Sequence, residues 1–320
     1  MTQQSSAVLC AGIVVADHVC APIAKLPAAG GLVLSEQMLL TLGGCAGNVA
    51  VDLAKQGVGA AVVGRVGDDV FGGVVRQMLE AANVDTESLL TTSSRPTSQT
   101  MILNVQGQDR RYVHLVGANG DFTASDIPID RLKTAKILYV GGYLLMPQLW
   151  QEDLVKVFEQ ARAAGVTTVL DVAGPAGVDF LARLEKLLPL CDVFLPNNDE
   201  AALILDQEDP VRQAEEFRKR GVKTTVITCG DDGTVLVSAK AKLRASIYPT
   251  KLVDASGSGD AFDAGFIAGL LRGEDEAGCL RRASALGASC VRGLGTTTSV
   301  FTAAECDAFL KKTELKIERL

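Results

Sequence analysis

The stretch Val253-Asp-Ala-Ser-Gly-Ser-Gly-Asp-Ala-Phe262 opens a predicted helix and carries the strongest signal in the chain. Phe262, Phe266 and Leu270 fall four residues apart, which predicts an apolar helical stripe. Backbone N–H groups at a helix N-terminus point outward unsatisfied, and with the helix dipole they suit a bound phosphate. We therefore expect the glycine loop at residues 257–259 to form an anion site.

Asp260 falls in the first turn of this predicted helix. Two roles are open to it from spacing alone. Its carboxylate can accept a proton from a hydroxyl that is brought beside a bound phosphate. It can equally cap the helix, a role that aspartate fills well.

Length and composition exclude several classes of protein. The chain has 320 residues, of which 48% are hydrophobic and ten are proline, so it can bury a sizeable core and is neither disordered nor collagen-like. Its net charge is −7 and it has no run rich in lysine or arginine, which argues against nucleic acid as a partner. The 32 glycines occur in clusters, and those clusters need an explanation.

The N-terminal region and the cysteines indicate the compartment. Residues 7–16 are apolar with no positive charge before them, and we interpret them as a first strand, not a signal peptide. No apolar run approaches the ~18 residues of a membrane span, so no membrane partner is expected. The eight cysteines contain no CxxC pair, which is unlike a disulfide scaffold or a zinc site and predicts a cytoplasmic protein.

From about residue 130 the chain alternates between strand-like and helix-like segments. Strands are predicted at 136–140, 166–172 and 223–228, and one intervening helix at 212–220. This alternation predicts a mostly parallel sheet with helices on both faces. Ligands of such sheets lie beyond the carboxyl ends of the strands.

Two segments do not follow this alternation. Residues 32–42 and 100–115 are strand-like, and the second reads as a hairpin with its turn at 106–109. Antiparallel ribbons early in an α/β chain suggest a small β lid. An edge hairpin of the main sheet is the alternative.

A second glycine cluster, Leu42-Gly-Gly-Cys-Ala-Gly-Asn48, precedes another predicted helix. Asn48 can donate a hydrogen bond to a ligand hydroxyl or cap that helix. Asp17 follows the first predicted strand, where its carboxylate would accept hydrogen bonds from a pair of sugar hydroxyls or serve as an ordinary turn residue.

Two weaker motifs end strands farther along. In Phe194-Leu-Pro-Asn-Asn-Asp-Glu200, Glu200 lies three residues after Asn197, where it can act on a hydrated metal or complete a capping arrangement. Thr228-Cys-Gly-Asp-Asp-Gly233 suits a tight hairpin turn or the phosphates of a nucleotide. The sequence contains no GxxxxGK[ST] motif and no GxGxxG after the first strand.

Taken in order, these motifs resemble the ribokinase-like (PfkB-type) carbohydrate kinase family over nearly the whole chain. Gly43-Gly44-Cys-Ala-Gly47-Asn48 and Gly64-Arg-Val-Gly67-Asp68-Asp69-Val-Phe-Gly72 look like its first signature, and Asp254-Ala-Ser-Gly-Ser-Gly-Asp260 like its second. The resemblance implies a ribokinase-like, doubly wound α/β domain with a β lid, and transfer of the γ-phosphoryl group of ATP to a hydroxyl. We assign residues 1–14, 44–98 and 116–320 to the α/β domain and residues 15–43 and 99–115 to the lid.

The resemblance also implies roles for the residues that react with or hold the substrate. Asp260 would be the catalytic base. The anion hole would be formed by the backbone of Ser256, Gly257, Ser258 and Gly259. The residues that would hold the sugar are Asp17, Gly43, Gly44, Asn48 and Asp260. Because phosphoryl transfer passes through a loose transition state, a positioned aspartate with an ordinary pKa can serve as its base.

The nucleotide and its cations have matching positions as well. By the resemblance Asn197 and Glu200 organise Mg²⁺ and phosphate, mainly through water. The positions that match the family's nucleotide-binding TxGxxG turn are Thr228, Gly230 and Gly233. Members related to ribokinase also bind a potassium-like cation, and the matching positions here are Asp254, Ser256, Cys290, Gly293, Gly295 and Ser299. The expected cofactors are therefore ATP, Mg²⁺ and K⁺.

The chain departs from ribokinase at three polar sugar contacts. Val15 and Cys45 stand where ribokinase has Asn and Lys, and residues 141–143 occupy the region where it supplies a Glu. A site built to pair a hydroxyl discriminates strongly, so these losses weaken the case for ribose. Tyr143 and Val15 could face a nucleoside base, or could simply pack in the core.

We therefore predict an ATP-dependent kinase of a sugar or sugar-like alcohol, with a nucleoside kinase as the alternative within the fold. A sugar-binding regulator without turnover is an alternative of another class. We also predict a homodimer formed through the lid, because uncovered strand edges favour such pairing.

Overall fold

The structure is a computed structural model that describes residues 6–108, 110–149, 151–174 and 180–320. Asp109, in the predicted hairpin turn, lies outside the described residues. The strands are β1 Val8–Gly12, β2 Val15–Ile23, β3 Met38–Gly43, β4 Ala60–Gly67, β5 Leu89–Thr92, β6 Gln99–Val105, β7 Arg111–Leu115, β8 Ile137–Gly141, β9 Thr167–Leu170, β10 Val193–Phe194, β11 Thr224–Thr228, β12 Thr234–Ser238, β13 Lys242–Ala245 and β14 Ile317–Arg319. The helices are α1 Cys45–Lys55, α2 Val70–Ala81, α3 Ile129–Leu132, α4 Gln151–Ala163, α5 Phe180–Leu184, α6 Asn198–Leu205, α7 Pro210–Lys219, α8 Ser258–Arg272, α9 Glu276–Cys290 and α10 Ala303–Leu310.

Ten strands form the main sheet, in the order β14-β13-β12-β11-β10-β9-β8-β1-β4-β5. The strands from β5 to β11 pair in parallel, and β12, β13 and β14 add an antiparallel edge. The predicted mostly parallel sheet is therefore confirmed. Its alternation follows from the local sequence, because each apolar strand is followed by a segment with helical spacing.

Helices cover both faces of this sheet, as predicted. The central strand β1 is buried along its whole length and sends alternate side chains into two separate cores. Val8 and Cys10 join the core formed with α1, α2, α8 and α9. Leu9 and Ala11 join the core formed with α4, α6 and α7. No helix among the described residues combines the length and apolar character that a membrane crossing needs.

Four strands form the small lid sheet, in the order β3-β2-β6-β7. β2 pairs antiparallel with β3 and parallel with β6, while β6 and β7 form the predicted hairpin. The alternative of an edge hairpin on the main sheet is wrong.

The predicted strand at 32–42 is correct only in its second half, since β3 begins at Met38. Its partner β2 pairs with it from Val15 to Cys20, and Pro22 follows two residues later. The Ala21 N–H still donates to the Gln37 carbonyl oxygen at 2.9 Å, but Pro22 has no N–H with which to continue the ladder, so residues 32–36 do not extend β3. Leu32 and Leu34 are accordingly exposed.

The apolar stretch at 7–16 is likewise not one strand. It ends as β1 at Gly12, and β2 begins at Val15 in the other sheet. Asp17 therefore lies within a lid strand and not in a turn after the first strand. This crossing between sheets brings the lid over the carboxyl end of β1.

Candidate active site

Asp260 and Asn48 meet across the base of the lid. The Asn48 Nδ2 donates to Asp260 Oδ2 at 2.7 Å. Neither side chain caps a helix: the residues before α1 and α8 are Gly44 and Gly257, and neither cap involves a side-chain hydrogen bond. The capping alternative for both polar residues is therefore wrong. Asn48 is buried and its Oδ1 has no hydrogen-bond partner.

The loop before α8 requires glycine at one position. Gly257 has φ +76°, and a Cβ there would lie 2.4 Å from the Thr296 carbonyl oxygen. At Gly259, by contrast, a Cβ would have nothing within 4 Å, so this side of the loop faces open space. The N-terminal N–H groups of a 15-residue helix thus meet a space where an anion can approach.

Asp17 lies against the first glycine cluster. A Cβ on Gly43 would be 2.0 Å from Asp17 Oδ2, so only glycine leaves room for this carboxyl group. Burial raises the pKa of Asp17 to about 7, a hydrogen bond from Thr100 opposes this rise, and the charges of Asp260 and Asp254 add to it. The ionisation of Asp17 therefore depends on the charge of Asp260.

A group of buried residues behind Asp260 was not identified from the sequence. One oxygen each of Asp171 and Asp260 and the Sγ of Cys45 all lie within 4.8 Å of one another. The Tyr139 hydroxyl lies 3.3 Å from Asp171 Oδ2 and 3.1 Å from Asp263 Oδ2. A hydroxyl carries one proton, so it satisfies both carboxyl groups only if one of them is protonated. Asp171 directly follows β9, and its place at the carboxyl end of a strand was the available signal.

Burial raises the pKa values throughout this group. The pKa of Asp171 rises to about 7 because of burial and the charge of Asp260. Burial also raises the pKa of Asp260, while hydrogen bonds from Asn48 and Cys45 and the charge of Arg110 in the lid lower it. Such a concentration of carboxyl groups favours a ligand that brings positive charge or hydrogen-bond donors.

The two weaker motifs lie side by side. Asn197 caps α6 and Glu200 completes the capping box, so the capping arrangement considered for Glu200 does form. Burial raises the pKa of Glu200, and the charge of Asp171 raises it further. Asn197 forms an isolated parallel bridge with Thr228.

The turn after Thr228 connects the antiparallel strands β11 and β12, so it is a hairpin turn as one alternative expected. Gly230 and Gly233 have φ of +53° and +86°. A Cβ on Gly233 would lie 2.1 Å from the Ala245 carbonyl oxygen, whereas Gly230 faces open space. A ligand can thus approach the backbone closely at Gly230, which lies one strand away from the N-terminus of α6.

Four of the six residues matched to the monovalent cation site come together. Asp254 accepts hydrogen bonds from the backbone N–H of Ser256 at 3.0 Å and of Gly295 at 3.1 Å. The Cys290 thiol lies 3.3 Å from the Ser256 carbonyl and 3.1 Å from that of Thr296, a residue the sequence did not indicate. The two other matched positions adjoin each other, since a Cβ on Gly293 would meet Ser299 Oγ.

Comparison with known proteins gives a family match over most of the chain. A model described as pfkB family carbohydrate kinase matches residues 6–303. A ribokinase from Haemophilus influenzae is 27% identical over 307 residues, 94% of this chain and 97% of the relative. A nucleoside kinase from Methanothermobacter thermautotrophicus is 26% identical over 258 residues, 81% of each chain.

Solved structures share the fold. An E. coli protein provisionally named ribokinase II, crystallised with ATP and Mg²⁺, superposes with a TM-score of 0.83 at 22% identity. The match covers 96% of this chain and 100% of that one. At this identity the likeness concerns the fold, and it includes both the large sheet and the lid.

Proposed function

Since the chain belongs to the pfkB family and is an ATP-dependent carbohydrate kinase, we propose that it transfers the γ-phosphoryl group of ATP to a hydroxyl of a sugar or sugar-like molecule, with Asp260 as general base. The observation that supports this most is the placement of Asp260. Its carboxyl group lies in the first turn of α8, next to the open side of the glycine loop, and is held by Asn48 at 2.7 Å. An acceptor hydroxyl placed beside the Asp260 carboxyl group would face a phosphate bound at the glycine loop.

The order of events follows from these positions. Asp17 and Asn48 orient the acceptor, so that one hydroxyl lies against Asp260. That carboxylate accepts the hydroxyl proton as the oxygen attacks the γ-phosphorus, and the bond to ADP breaks. The backbone N–H groups of Gly257 and Gly259 stabilise the charge on the transferring group. Those of Ser256 and Ser258, which the resemblance also placed in the anion hole, already donate to Asp254 and to the Ala255 carbonyl oxygen. Positioning contributes more than base strength, because the transition state is loose.

ATP and Mg²⁺ are proposed as cofactors. An E. coli protein of this fold has been crystallised with both. Glu200 offers carboxyl oxygens, the ligand type that Mg²⁺ prefers, so this residue fits the ion. Bound Mg²⁺ would neutralise phosphate charge. The residues that would organise it, mainly through water, are Asn197 and Glu200, and those that would contact the nucleotide are Thr228, Gly230 and Gly233.

We also propose a K⁺ site beside the glycine loop. The carbonyl oxygens of Ser256 and Thr296 converge on the Cys290 thiol, and carbonyl oxygens are the ligands that K⁺ takes in proteins. The buried Ser256 Oγ has no hydrogen-bond partner. A cation here would stiffen the loop that binds the phosphoryl group. Its proposed ligands are drawn from Asp254, Ser256, Cys290, Gly293, Gly295 and Ser299.

The outer face of the lid supports the proposed homodimer. Leu40, His18, Met101 and Val113 are in register across the four strands and so share one face. Leu40, Met101 and Val113 are exposed. An exposed apolar sheet face of this kind is covered in many proteins by a second copy of the same chain.

A sugar fits the site better than a nucleoside. Val15 and Tyr143, the two residues considered for an apolar wall around a base, are each only 2% exposed. The Tyr143 hydroxyl donates to the Arg183 carbonyl oxygen, so this ring packs in the core. The polar groups around Asp260 are carboxyl groups and an amide, which suit the hydroxyls of a polyol.

Turnover of a small acceptor panel tests this function. The full chain with ATP and Mg²⁺ is assayed for ADP release with ribose, fructose, deoxygluconate, adenosine and inosine, and binding is followed in parallel by thermal shift. We expect ADP release with at least one sugar. Binding without turnover would indicate a sugar-binding regulator, and turnover restricted to the nucleosides would indicate the alternative kinase.

A further inference from the structure

Beside Asp260 the site brings together a second carboxyl group, that of Asp171, and the unpartnered amide oxygen of Asn48. We infer that the preferred acceptor is a polyol that carries a positively charged amine, and that polyols carrying a carboxylate or phosphate are excluded. This inference rests on the proposed function, because it concerns the molecule that receives the phosphoryl group. Asp171 and Cys45 would be its main determinants, beside the proposed base.

Three elements bring their side chains to one point. Cys45 begins α1, Asp171 follows β9, and Asp260 lies in the first turn of α8. The Cys45 Sγ and one oxygen of each aspartate are within 4.8 Å of one another. A single ammonium group placed among these atoms could therefore contact both carboxyl groups at ion-pair distance.

An unpartnered amide oxygen points to the same requirement. Asn48 is only 2% exposed, and its Nδ2 is used by Asp260. Its Oδ1 has no hydrogen-bond partner. Buried polar atoms are rarely left without a hydrogen bond, so we expect a bound ligand to donate one to this oxygen. Hydroxyl and ammonium groups donate, whereas a carboxylate or a phosphate dianion cannot.

Among the described residues, no positively charged side chain hydrogen-bonds to Asp171. The groups that hydrogen-bond to Asp171 are the Tyr139 hydroxyl, the Gly142 N–H and the Cys45 thiol, all uncharged. Burial raises the pKa of Cys45 well above its ordinary value, so the thiol stays neutral. The cation whose charge reaches Asp260 is Arg110 on the lid hairpin, which lines the cavity beside Asp254.

The site should therefore bind acceptors with different affinity according to their charge. An anionic group beside two buried carboxyl groups is repelled, because the low polarity of the surroundings strengthens like-charge interactions. An ammonium there is attracted to both carboxyl groups at once. A neutral hydroxyl lies between these cases, since it gains hydrogen bonds without the charge term.

The inference is tested on acceptors that share one sugar skeleton and carry an amine at C2, hydroxyls only, or a carboxylate at C6. For the glucose, galactose and mannose skeletons, the hexose, the 2-amino-2-deoxyhexose and the uronate are compared at pH 7 with the full chain, ATP and Mg²⁺. An amine with a pKa near 8 is largely charged at this pH. On every skeleton that is phosphorylated, we expect kcat/KM for the amine to exceed that for the hexose by about tenfold or more, and the uronate to be about tenfold or more below the hexose. Smaller ratios would overturn the inference.

Binding measured without turnover separates this inference from the proposed function. Titration calorimetry with each sugar and a non-hydrolysable ATP analogue reports the charge preference even if no phosphoryl group is transferred. Preferential amine binding without ADP release would contradict the proposed function and support the inference. Phosphorylation of the hexose and its uronate with equal efficiency would support the proposed function and contradict the inference.

Two variants identify the residues responsible. Asp171→Asn is expected to reduce the ratio of amine to hexose kcat/KM by about tenfold, since one of the two carboxyl groups is lost. Cys45→Lys places an ammonium at the same point and is expected to abolish amine binding. Asp130→Asn, on exposed α3, makes the same charge change away from the site and should keep the wild-type ratio. An unchanged ratio in folded Asp171→Asn would contradict the role of Asp171.

Discussion

Asn48 and Asp260 stand 212 positions apart in the chain and are joined by a hydrogen bond of 2.7 Å from the Asn48 amide to the Asp260 carboxyl group. Each lies in the first turns of a helix that begins after a glycine, α1 and α8. Because burial raises the pKa of Asp260, this amide is one of the groups that keeps the pKa from rising further. The pair links the two glycine clusters into one site.

Removal of the Asn48 amide should therefore change the pH dependence of the reaction. Without this hydrogen bond the pKa of Asp260 rises, so Asn48→Ala needs a higher pH to ionise the base. We expect the acidic limb of the kcat profile to move to higher pH and kcat/KM to fall by about 10- to 100-fold, the range for a hydrogen bond to a charged group. An acidic limb that stays in place, in a variant that still binds ATP, would contradict this.

Replacement of Asp260 by asparagine should remove the base and preserve the shape of the site. We expect kcat to fall by at least ~10² with little change in ATP affinity, as for the loss of a positioned general base. ATP binding by calorimetry and ADP release by a coupled assay measure the two effects. Asp130→Asn serves as the control for charge alone. Near-wild-type turnover in Asp260→Asn would show that another group accepts the proton.

The buried carboxyl groups should make the ligand-free protein less stable at neutral than at mildly acidic pH. The pKa values of Asp17 and Asp171 are raised to about 7, whereas in the unfolded chain they lie near 3.9. Between these values the folded state holds more protons, so the free energy of unfolding decreases as pH rises from about 4 to 7.

Asp17→Asn should flatten this dependence. The amide cannot ionise, so the contribution of Asp17 to the slope disappears. We expect the Tm of the wild type to fall by about 5–10 °C more than that of the variant between pH 5 and 8, equivalent to roughly 2–3 kcal/mol for a pKa raised to about 7. Differential scanning calorimetry of the apo proteins measures this. Parallel Tm curves would show that Asp17 is already ionised at pH 5.

The dimer can be tested with a matched pair of surface variants. Met101 on the outer face of the lid and Leu203 on α6 are exposed to the same degree, 48% and 47%. Met101→Glu should convert the wild-type dimer into a species of 33.6 kDa, because a charge would be buried at the interface. Leu203→Glu should leave the dimer intact. Sedimentation velocity distinguishes them, and a monomeric wild type at micromolar concentration would contradict the proposed interface.

Potassium should accelerate the reaction through the loop next to α8. We expect kcat in K⁺ to exceed kcat in equimolar Na⁺ by about threefold or more, because the carbonyl oxygens around Cys290 suit a larger ion. Acceptor KM should change less than kcat if the cation acts on the phosphoryl-binding loop. Equal rates in both salts would contradict the K⁺ site and indicate that the Cys290 thiol alone satisfies these carbonyl oxygens.

Predictions from local pattern were the most reliable. The strands expected at 136–140 and 223–228 are observed at Ile137–Gly141 and Thr224–Thr228, because apolar alternation and glycine ends act within one segment. The prediction at 32–42 failed in its first half, since pairing depends on the partner strand, which has Pro22. Local sequence does not contain that information.

The glycine clusters and the helix stripe of α8 thus determined by themselves where a phosphate could be held. Glycine acts through its own backbone, so its effect is readable from its position. Long-range packing, in contrast, places Asp171, Tyr139 and Asp263 behind Asp260 and brings Asn48 into contact with it. Those contacts join residues more than 30 positions apart, and both their existence and their effect on pKa depend on burial that no single segment creates.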